Sequence, residues 1–213
     1  MAIRYITFDI GGVANVEPRE IVDSVKECFG EDFSDDRFKK MVHPPSWRAF
    51  QNGKISPAEY ISGALKAGNL SNTPEHRFYL RQLLEEWCGK SYQPILDLVE
   101  LLKQNGYHTS VLSNNNEIMY NTQGAEIRNR VDVSLSSHEI GISKPQPEAF
   151  KILLERIRAD DPKEVLFIDN MVHNVDAARE QGLQAFYFLG KELTQDRAFE
   201  DLMGFLKRKG VRV

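Results

Sequence analysis

The chain has 213 residues, a formal net charge of −4 and two cysteines. That length suffices to bury a sizeable core, as one large domain or as one domain with an insert. There is no basic surplus to bind nucleic acid, and no apolar run long enough to span a membrane. Cys28 and Cys88 form no CxxC pair, which fits two reduced structural thiols in a cytoplasmic protein.

Ile3 to Phe8 is an apolar, β-branched and aromatic run that stops at Asp9-Ile10-Gly11-Gly12. It predicts a strand buried on both faces, entered directly from Met1-Ala2 without the layout of a signal peptide. From about Pro18 to Gln93 the pattern is helical. Ser56-Pro57-Ala58-Glu59 and Thr73-Pro74-Glu75 are helix starts, and Tyr79, Leu80, Leu83, Leu84 and Trp87 recur at helical spacing. Ile95 to Gln104 is a helix closed by Asn105-Gly106. Strands follow at Tyr107–Leu112, Val131–Leu135, Val165–Ile168 and Gln184–Leu189. Helices follow at Phe150–Ile157 and Val175–Gln181, with one more running through Leu206. Strands alternating with helices predict an α/β fold with a doubly wound parallel sheet.

Four short segments carry the chemistry. They are Phe8-Asp9-Ile10-Gly11-Gly12-Val13, Leu112-Ser113-Asn114, Ser143-Lys144-Pro145, and Phe167-Ile168-Asp169-Asn170 with Asn174 behind it. Each places a polar residue at or just after a strand end, or in a loop, and open α/β sheets hold ligands at the carboxyl ends of their strands. A carboxylate, a hydroxyl, a lysine and a second carboxylate meeting in one cleft suit phosphoryl transfer. Ser113 and Asn114 are predicted to open a helix whose N-terminus receives phosphate, and Lys144 to supply a positive charge. Asn115 and Asn116 either extend that polar tract or are solvated cap residues. Asp132 and Asp176 read as structural. His76, His108, His138 and His173 show no metal-ligand spacing.

Those four segments in that order resemble the haloacid dehalogenase-like hydrolases, over nearly the whole chain. Within them the similarity is to a small phosphatase branch that includes sugar-phosphate phosphatases and the N-terminal domain of soluble epoxide hydrolases. The resemblance implies a Rossmann-like core from residues 1–16 and 94–213, with residues 17–93 inserted as a helical cap. It implies a small phosphorylated substrate and magnesium, with Asp9 attacking phosphorus to form an aspartyl-phosphate. The metal ligands it implies are the Asp9 carboxylate, the main-chain carbonyl of Gly11 and Asp169, with Asn170 accepting a hydrogen bond at the same site. Asn174 either orients that loop or is an ordinary helix-start residue. In the cap, Arg48 is expected to reach a substrate oxygen, while Trp47 and Phe50 either stack on a sugar or belong to the cap core. The sequence is silent on oligomeric state.

Two positions depart from the family pattern. Gly11 stands where an Asp usually protonates the leaving oxygen, help worth roughly 10²–10⁴-fold in rate. Asn170 is neutral where a second acid is usual, so magnesium is expected to bind more weakly. The favoured consequence of Gly11 is a substrate with a good leaving group. The others are a proton supplied by Glu17 or a cap residue, and slow or absent turnover. Two rival functions follow: a 2-haloacid dehalogenase, whose halide needs no proton to leave, and a catalytically impaired binding or regulatory module.

Overall fold

The computed structural model describes residues 2–16, 28–30, 33–86, 89–120, 122, 124–189 and 194–213. Five strands form one sheet: β1 (Tyr5–Phe8), β4 (His108–Ser113), β5 (Val133–Ser136), β6 (Val165–Asp169) and β7 (Gln184–Tyr187). Their spatial order is β5-β4-β1-β6-β7 and every pairing is parallel. Two further strands among the described residues, β2 (Asn15–Val16) and β3 (Lys90–Ser91), pair antiparallel as a short ribbon.

Side-chain alternation explains why the sheet is covered on both faces. Ile6, Phe8, Val111, Leu166 and Ile168 point to one side, into a cluster with the helices Gln93–Gln104 and Gln195–Arg208. Tyr5, Leu112, Val165 and Phe167 point to the other, against Pro147–Ile157 and Val172–Glu180. Successive residues of a strand face opposite ways, so apolar runs without alternation can only be buried on both faces. The fold is the doubly wound α/β architecture expected from sequence. Strand order reverses beside β1: the chain steps outward through β4 and β5, then returns to β6 on the other side. A crevice at the carboxyl ends of β1 and β6 results.

The segment between β2 and β3 is helical where described: Asp35–Val42, Trp47–Gln51, Pro57–Ala67 and Pro74–Glu86. These helices bury Met41, Phe50, Tyr60, Leu65, Leu80 and Leu84 in a cluster of their own, which reaches the core at Ile118. The start at Ser56 is a full capping box. Glu59 N–H donates to Ser56 Oγ at 3.3 Å, Ser56 N–H donates to the Glu59 carboxylate at 2.8 Å, and Pro57 takes the first turn. Phe50 stacks on Tyr60 with ring centroids 4.2 Å apart, which places it in this core and not over a substrate. Trp87 and Cys88 of the sequence reading lie outside the described residues, as do residues 17–27.

The insert docks on the sheet unit through its 51–54 turn. Ser137 Oγ lies 2.6 Å from the Gln51 carbonyl and 2.9 Å from the Asn115 carbonyl, its one proton shared between them. Gly53 has φ +62°, and a Cβ there would stand 2.3 Å from the His138 carbonyl oxygen. Among the described residues no helix is long and apolar enough to cross a membrane.

Candidate active site

Asp9 follows β1 directly, and its N–H donates to the Ile168 carbonyl at 2.8 Å, which locks it against β6. The chain then turns so sharply that the Ile10 carbonyl accepts from the N–H groups of Val13, Ala14 and Asn15 at 3.2, 2.9 and 2.9 Å. Gly12, at φ +71°, supplies the left-handed residue this turn requires. Gly11 does not have a positive φ, so its glycine is not explained by backbone conformation.

The loop before the helix Pro147–Ile157 delivers Lys144 from the far side of the crevice. Its Nζ lies 2.8 Å from Asp9 Oδ1 and 2.7 Å from Asp169 Oδ2, with the side chains of Lys144, Asp9 and Asp169 1%, 11% and 0% exposed. Asn114 fixes this loop by a two-point clamp. Its Oδ1 accepts from Lys144 N–H and its Nδ2 donates to the Lys144 carbonyl, both at 2.8 Å. The side chain of Asn114 is therefore committed to holding Lys144. The helix expected to open at Asn114 begins at Glu117. Asn116 is its cap, with Oδ1 accepting from Ile118 and Met119 N–H at 3.1 Å each. Ser113 ends β4 as expected.

Asp169 and Asn170 are neighbours that face different surroundings. Asp169 is enclosed, and each of its oxygens already accepts two hydrogen bonds. Oδ1 takes Met171 N–H at 2.8 Å and Asn174 Nδ2 at 3.1 Å; Oδ2 takes Lys144 Nζ at 2.7 Å and Asn174 Nδ2 at 3.1 Å. Asn170 faces the cavity. In this arrangement Asp169 anchors Lys144, and Asn174, in the first turn of its helix, anchors Asp169.

Burial pushes the Asp9 carboxyl up to about 6, with Lys144 pulling down and Asp169 pushing up. Burial also works against the Lys144 ammonium, but Asp169 and Asp9 together outweigh it and the net shift is upward. The floor is thus one charged lysine between two carboxylates.

Above it lies a cavity of about 490 Å³. The core contributes Asp9, Gly11, Ser113, Asn114, Lys144 and Asn170. The insert contributes His43, Trp47, Arg48 and Gln51 as a roof. All the residues expected from sequence except Asp169 therefore line one space, and Asp169 sits directly behind Lys144. His43, Gln51, Met171 and His173 also line it and were not found from sequence; no spacing or motif marks them. Glu17 lies outside the described residues. Asp132 accepts from Thr109 N–H at 2.9 Å and Asp176 pairs with Arg179 at 3.1 Å, both structural as expected.

Beside the imidazoles of His43 and His173, the lining residues offer oxygen groups that suit a small hard cation: the Asp9 carboxylate, the Gly11 backbone, and the amides of Asn170 and Asn174. Asn174 Oδ1 is buried with no hydrogen-bond partner, an orphan acceptor at the edge of the site. Among the described residues no group of three or more His, Cys, Asp and Glu side chains is placed to hold a metal. Softer or more acid-rich metal sites are therefore not on offer among them.

Comparison with known proteins bears on the family and the fold. The family model of haloacid dehalogenase-like hydrolases matches residues 3–182. The rat bifunctional epoxide hydrolase 2 is 29% identical over 200 residues, covering 86% of this chain but 36% of that protein, so the chain spans about a third of it. The D-ribitol-5-phosphate phosphatase of Bacteroides thetaiotaomicron is 23% identical over 194 residues, 86% of this chain and 91% of that one. A solved HAD family enzyme of the same organism, in complex with magnesium, superposes with a TM-score of 0.72 at 23% identity, covering 88% of this chain and 93% of that one. A solved dehalogenase superposes at 0.64 with 20% identity, covering 87% of this chain and 84% of that one. At these identities the superpositions speak for the fold, while the family model extends over most of the sequence. The chain belongs to the haloacid dehalogenase-like hydrolases.

Proposed function

We propose that the chain is a magnesium-dependent phosphatase of a small phosphorylated metabolite, a sugar phosphate among the candidates, working through an aspartyl-phosphate. Residues 1–16 and 94–213 form the catalytic unit in this reading, and residues 17–93 the cap. The observation that carries it is the Asp9–Lys144–Asp169 chain at the floor of a roofed cavity, with Asp9 and Lys144 the members that reach the space.

An oxygen of Asp9 attacks phosphorus, the bond to the leaving oxygen breaks, and water then cleaves the acyl phosphate to restore the carboxylate. Lys144 offsets charge on the phosphoryl oxygens and on Asp9, held in place by Asp169 and by the Asn114 clamp. The Ser113 hydroxyl donates to a phosphoryl oxygen. Arg48 and Gln51 meet the rest of the substrate from the roof. Magnesium, when bound among Asp9, Gly11 and Asn170, would screen the repulsion between the carboxylate and an anionic phosphate. Gly11 carries no proton, so the leaving oxygen departs nearly unprotonated, which favours anomeric, acyl or aryl phosphates.

The relatives named as phosphatases, the D-ribitol-5-phosphate enzyme among them, support the choice of phosphate over halide. A haloacid dehalogenase is the second reading, favoured by one observation: a departing halide needs no acid, and none stands at position 11. Phosphate release from a panel of phosphorylated metabolites, with and without magnesium, tests the proposal, and halide release from 2-haloacids run in parallel tests the rival. Halide release without phosphate release would overturn the phosphatase reading. Silence in both assays would favour the impaired binding module.

A further inference from the structure

The segment that carries Lys144 is held at both ends by adjacent residues. Asn114 clamps the main chain of Lys144 at 2.8 Å on its N–H and on its carbonyl. The next residue, Asn115, holds Ser137, where the same segment leaves β5. Asn115 N–H donates to Ser137 Oγ at 3.0 Å, and the Ser137 hydroxyl faces the Asn115 carbonyl at 2.9 Å. Asn115 and Ser137 are each 1% exposed. Positions 137 and 144 are thus both pinned to the carboxyl end of β4.

The helical insert lands on this same segment. In the helix Trp47–Gln51, the carbonyls of Arg48, Ala49 and Phe50 take the N–H groups of Asn52, Lys54 and Gly53 at 3.1, 2.8 and 3.0 Å. The Gln51 carbonyl takes the Ser137 hydroxyl at 2.6 Å, the shortest of the three contacts at that oxygen. A helix has no internal partners for its last carbonyls, so a donor from a distant segment fixes its end in space. Two further contacts follow along the segment. Gly53 approaches the His138 carbonyl, and Lys54 Nζ lies over Gly141, 3.2 Å from where a Cβ would stand. Arg48 and Gln51 roof the cavity and Lys144 lies at its floor. Residues 137–144 therefore meet the roof at one end and finish in the buried ammonium at the other.

We infer that Ser137 is a positioning residue that ties the seating of the roof to the placement of Lys144. A hydroxyl has one proton and two lone pairs, and here they join both units: the oxygen accepts from Asn115, and the proton is shared between the Asn115 and Gln51 carbonyls. Alanine would leave those three backbone groups without that partner in a site closed to water, which drives them apart. Asn115 adjoins Asn114, so the displacement passes to the clamp on Lys144. The kinetic consequence rests on the phosphatase reading above. A misplacement of about 1 Å, from a change far from the chemistry, can cost on the order of 100-fold in rate. Ser137→Ala should lower kcat by about ten- to a hundredfold through Lys144, and raise KM several-fold through Arg48 and Gln51.

The test has a kinetic arm and an arm that needs no activity. Turnover of para-nitrophenyl phosphate with magnesium is measured for wild type and Ser137→Ala. Loss of folded protein would scale kcat and leave KM alone, so a change in both is the mark of positioning. Combined with Gly53→Ala, which releases the same turn, Ser137→Ala should raise KM by less than the product of the single effects. Ser137→Cys keeps the volume and a weak S–H donor, so it should show the paired change to a smaller degree, and it replaces the alanine variant if that one does not melt cooperatively. In the second arm, amide hydrogen exchange should quicken in peptides spanning 48–56 and 141–146 alike. Exchange that quickens only around 115 and 137, or a lower kcat with unchanged KM, overturns the inference. If the wild type hydrolyses no phosphate ester, the phosphatase reading falls and the exchange pattern alone decides: quickening in both distant peptides upholds the tie, and its confinement to 115 and 137 ends it.

Discussion

Lys144→Met isolates what the buried ammonium does. Methionine keeps an unbranched apolar stem one atom shorter and removes the ammonium, whose Nζ lies 5.3 Å from the Phe167 ring centroid. Asp9 and Asp169 are then left facing each other with no cation, at 11% and 0% side-chain exposure. Breaking a buried ion pair by deleting one partner costs about 3–5 kcal/mol. For a chain of this size each kcal/mol lowers Tm by roughly 2–4 °C, so a fall of roughly 6–20 °C is expected. The control is Lys40→Met, which breaks the Lys40–Asp36 pair at the same 2.7 Å but with side chains 64% and 74% exposed. Exposed pairs contribute about 0–1 kcal/mol, so the control should melt within roughly 4 °C of wild type. Both are measured by thermal melting in EDTA across pH 4 to 8. The pH dependence has a definite sign. Burial already raises Asp9 in the folded state from 3.8 to about 6, and losing Lys144 removes the group that opposes that rise. A carboxyl whose folded pKa exceeds its unfolded one loses stability as pH rises through that window. The deficit of the variant should therefore be largest at pH 7–8 and shrink toward pH 4. A deficit no larger than that of Lys40→Met, or one flat with pH, would refute the reading of Lys144 as the buried cation between two carboxylates.

Asp9→Asn should abolish phosphate release while leaving the melt cooperative, and activity within a few-fold of wild type would remove Asp9 as nucleophile. Gly11→Asp should flatten the dependence of rate on leaving-group pKa by restoring an acid. Position 11 lacks a positive φ, so the variant should fold, and a wild type that already treats alkyl and aryl phosphates alike in the chemical step would sink the idea. Gly53→Ala combines a left-handed residue, which costs about 1–2 kcal/mol, with a Cβ at 2.3 Å from the His138 carbonyl. It should lower Tm by several degrees and raise KM more than it lowers kcat, since it displaces the roof; wild-type melting and KM would show that the 51–54 turn is not held against the core. Asn114→Ala should lower kcat through loss of the clamp on Lys144, with a stability cost of about 1–3 kcal/mol for the two unpaired backbone groups. Unchanged kcat would mean that the loop holds Lys144 without it.

The strand ends were legible in the sequence for a physical reason. A strand buried on both faces is an unbroken apolar run, so the first polar residue after it marks the carboxyl edge; Asp9, Ser113 and Asp169 were found that way. What lies beyond the edge depends on contacts between distant segments. Nothing local distinguishes Asp169 from Asn170, since neighbours at a strand end point opposite ways, and only the position of Lys144 decides which is enclosed. Asn114 looked like a phosphate ligand because its partner, the backbone of Lys144, is thirty residues away. Trp47 and Phe50 occupy the same five-residue helix, yet one borders the cavity and the other stacks on Tyr60. Composition could not separate them. The helix placed at Asn114 failed because Asn116 has the better cap, accepting from two N–H groups at once.

The ribbon of β2 and β3 makes the sheet unit and the helical unit unequal partners. Asn15 pairs with Ser91 and Val16 with Lys90, so the polypeptide leaves and re-enters through a single doorway. Neighbouring strands stand only about 4.7–4.9 Å apart, a gap that a two-residue Asn-Gly hairpin turn can close. Residues 17–89 are therefore removable in principle without altering strand order or the Asp9–Lys144–Asp169 contact, because no strand of the five-membered sheet comes from between them. Such a miniature would uncover Ile118 and Met119, which pack against the insert, and polar replacements at the two positions answer that exposure. It would also separate reactivity toward phosphate from the choice of molecule that carries it.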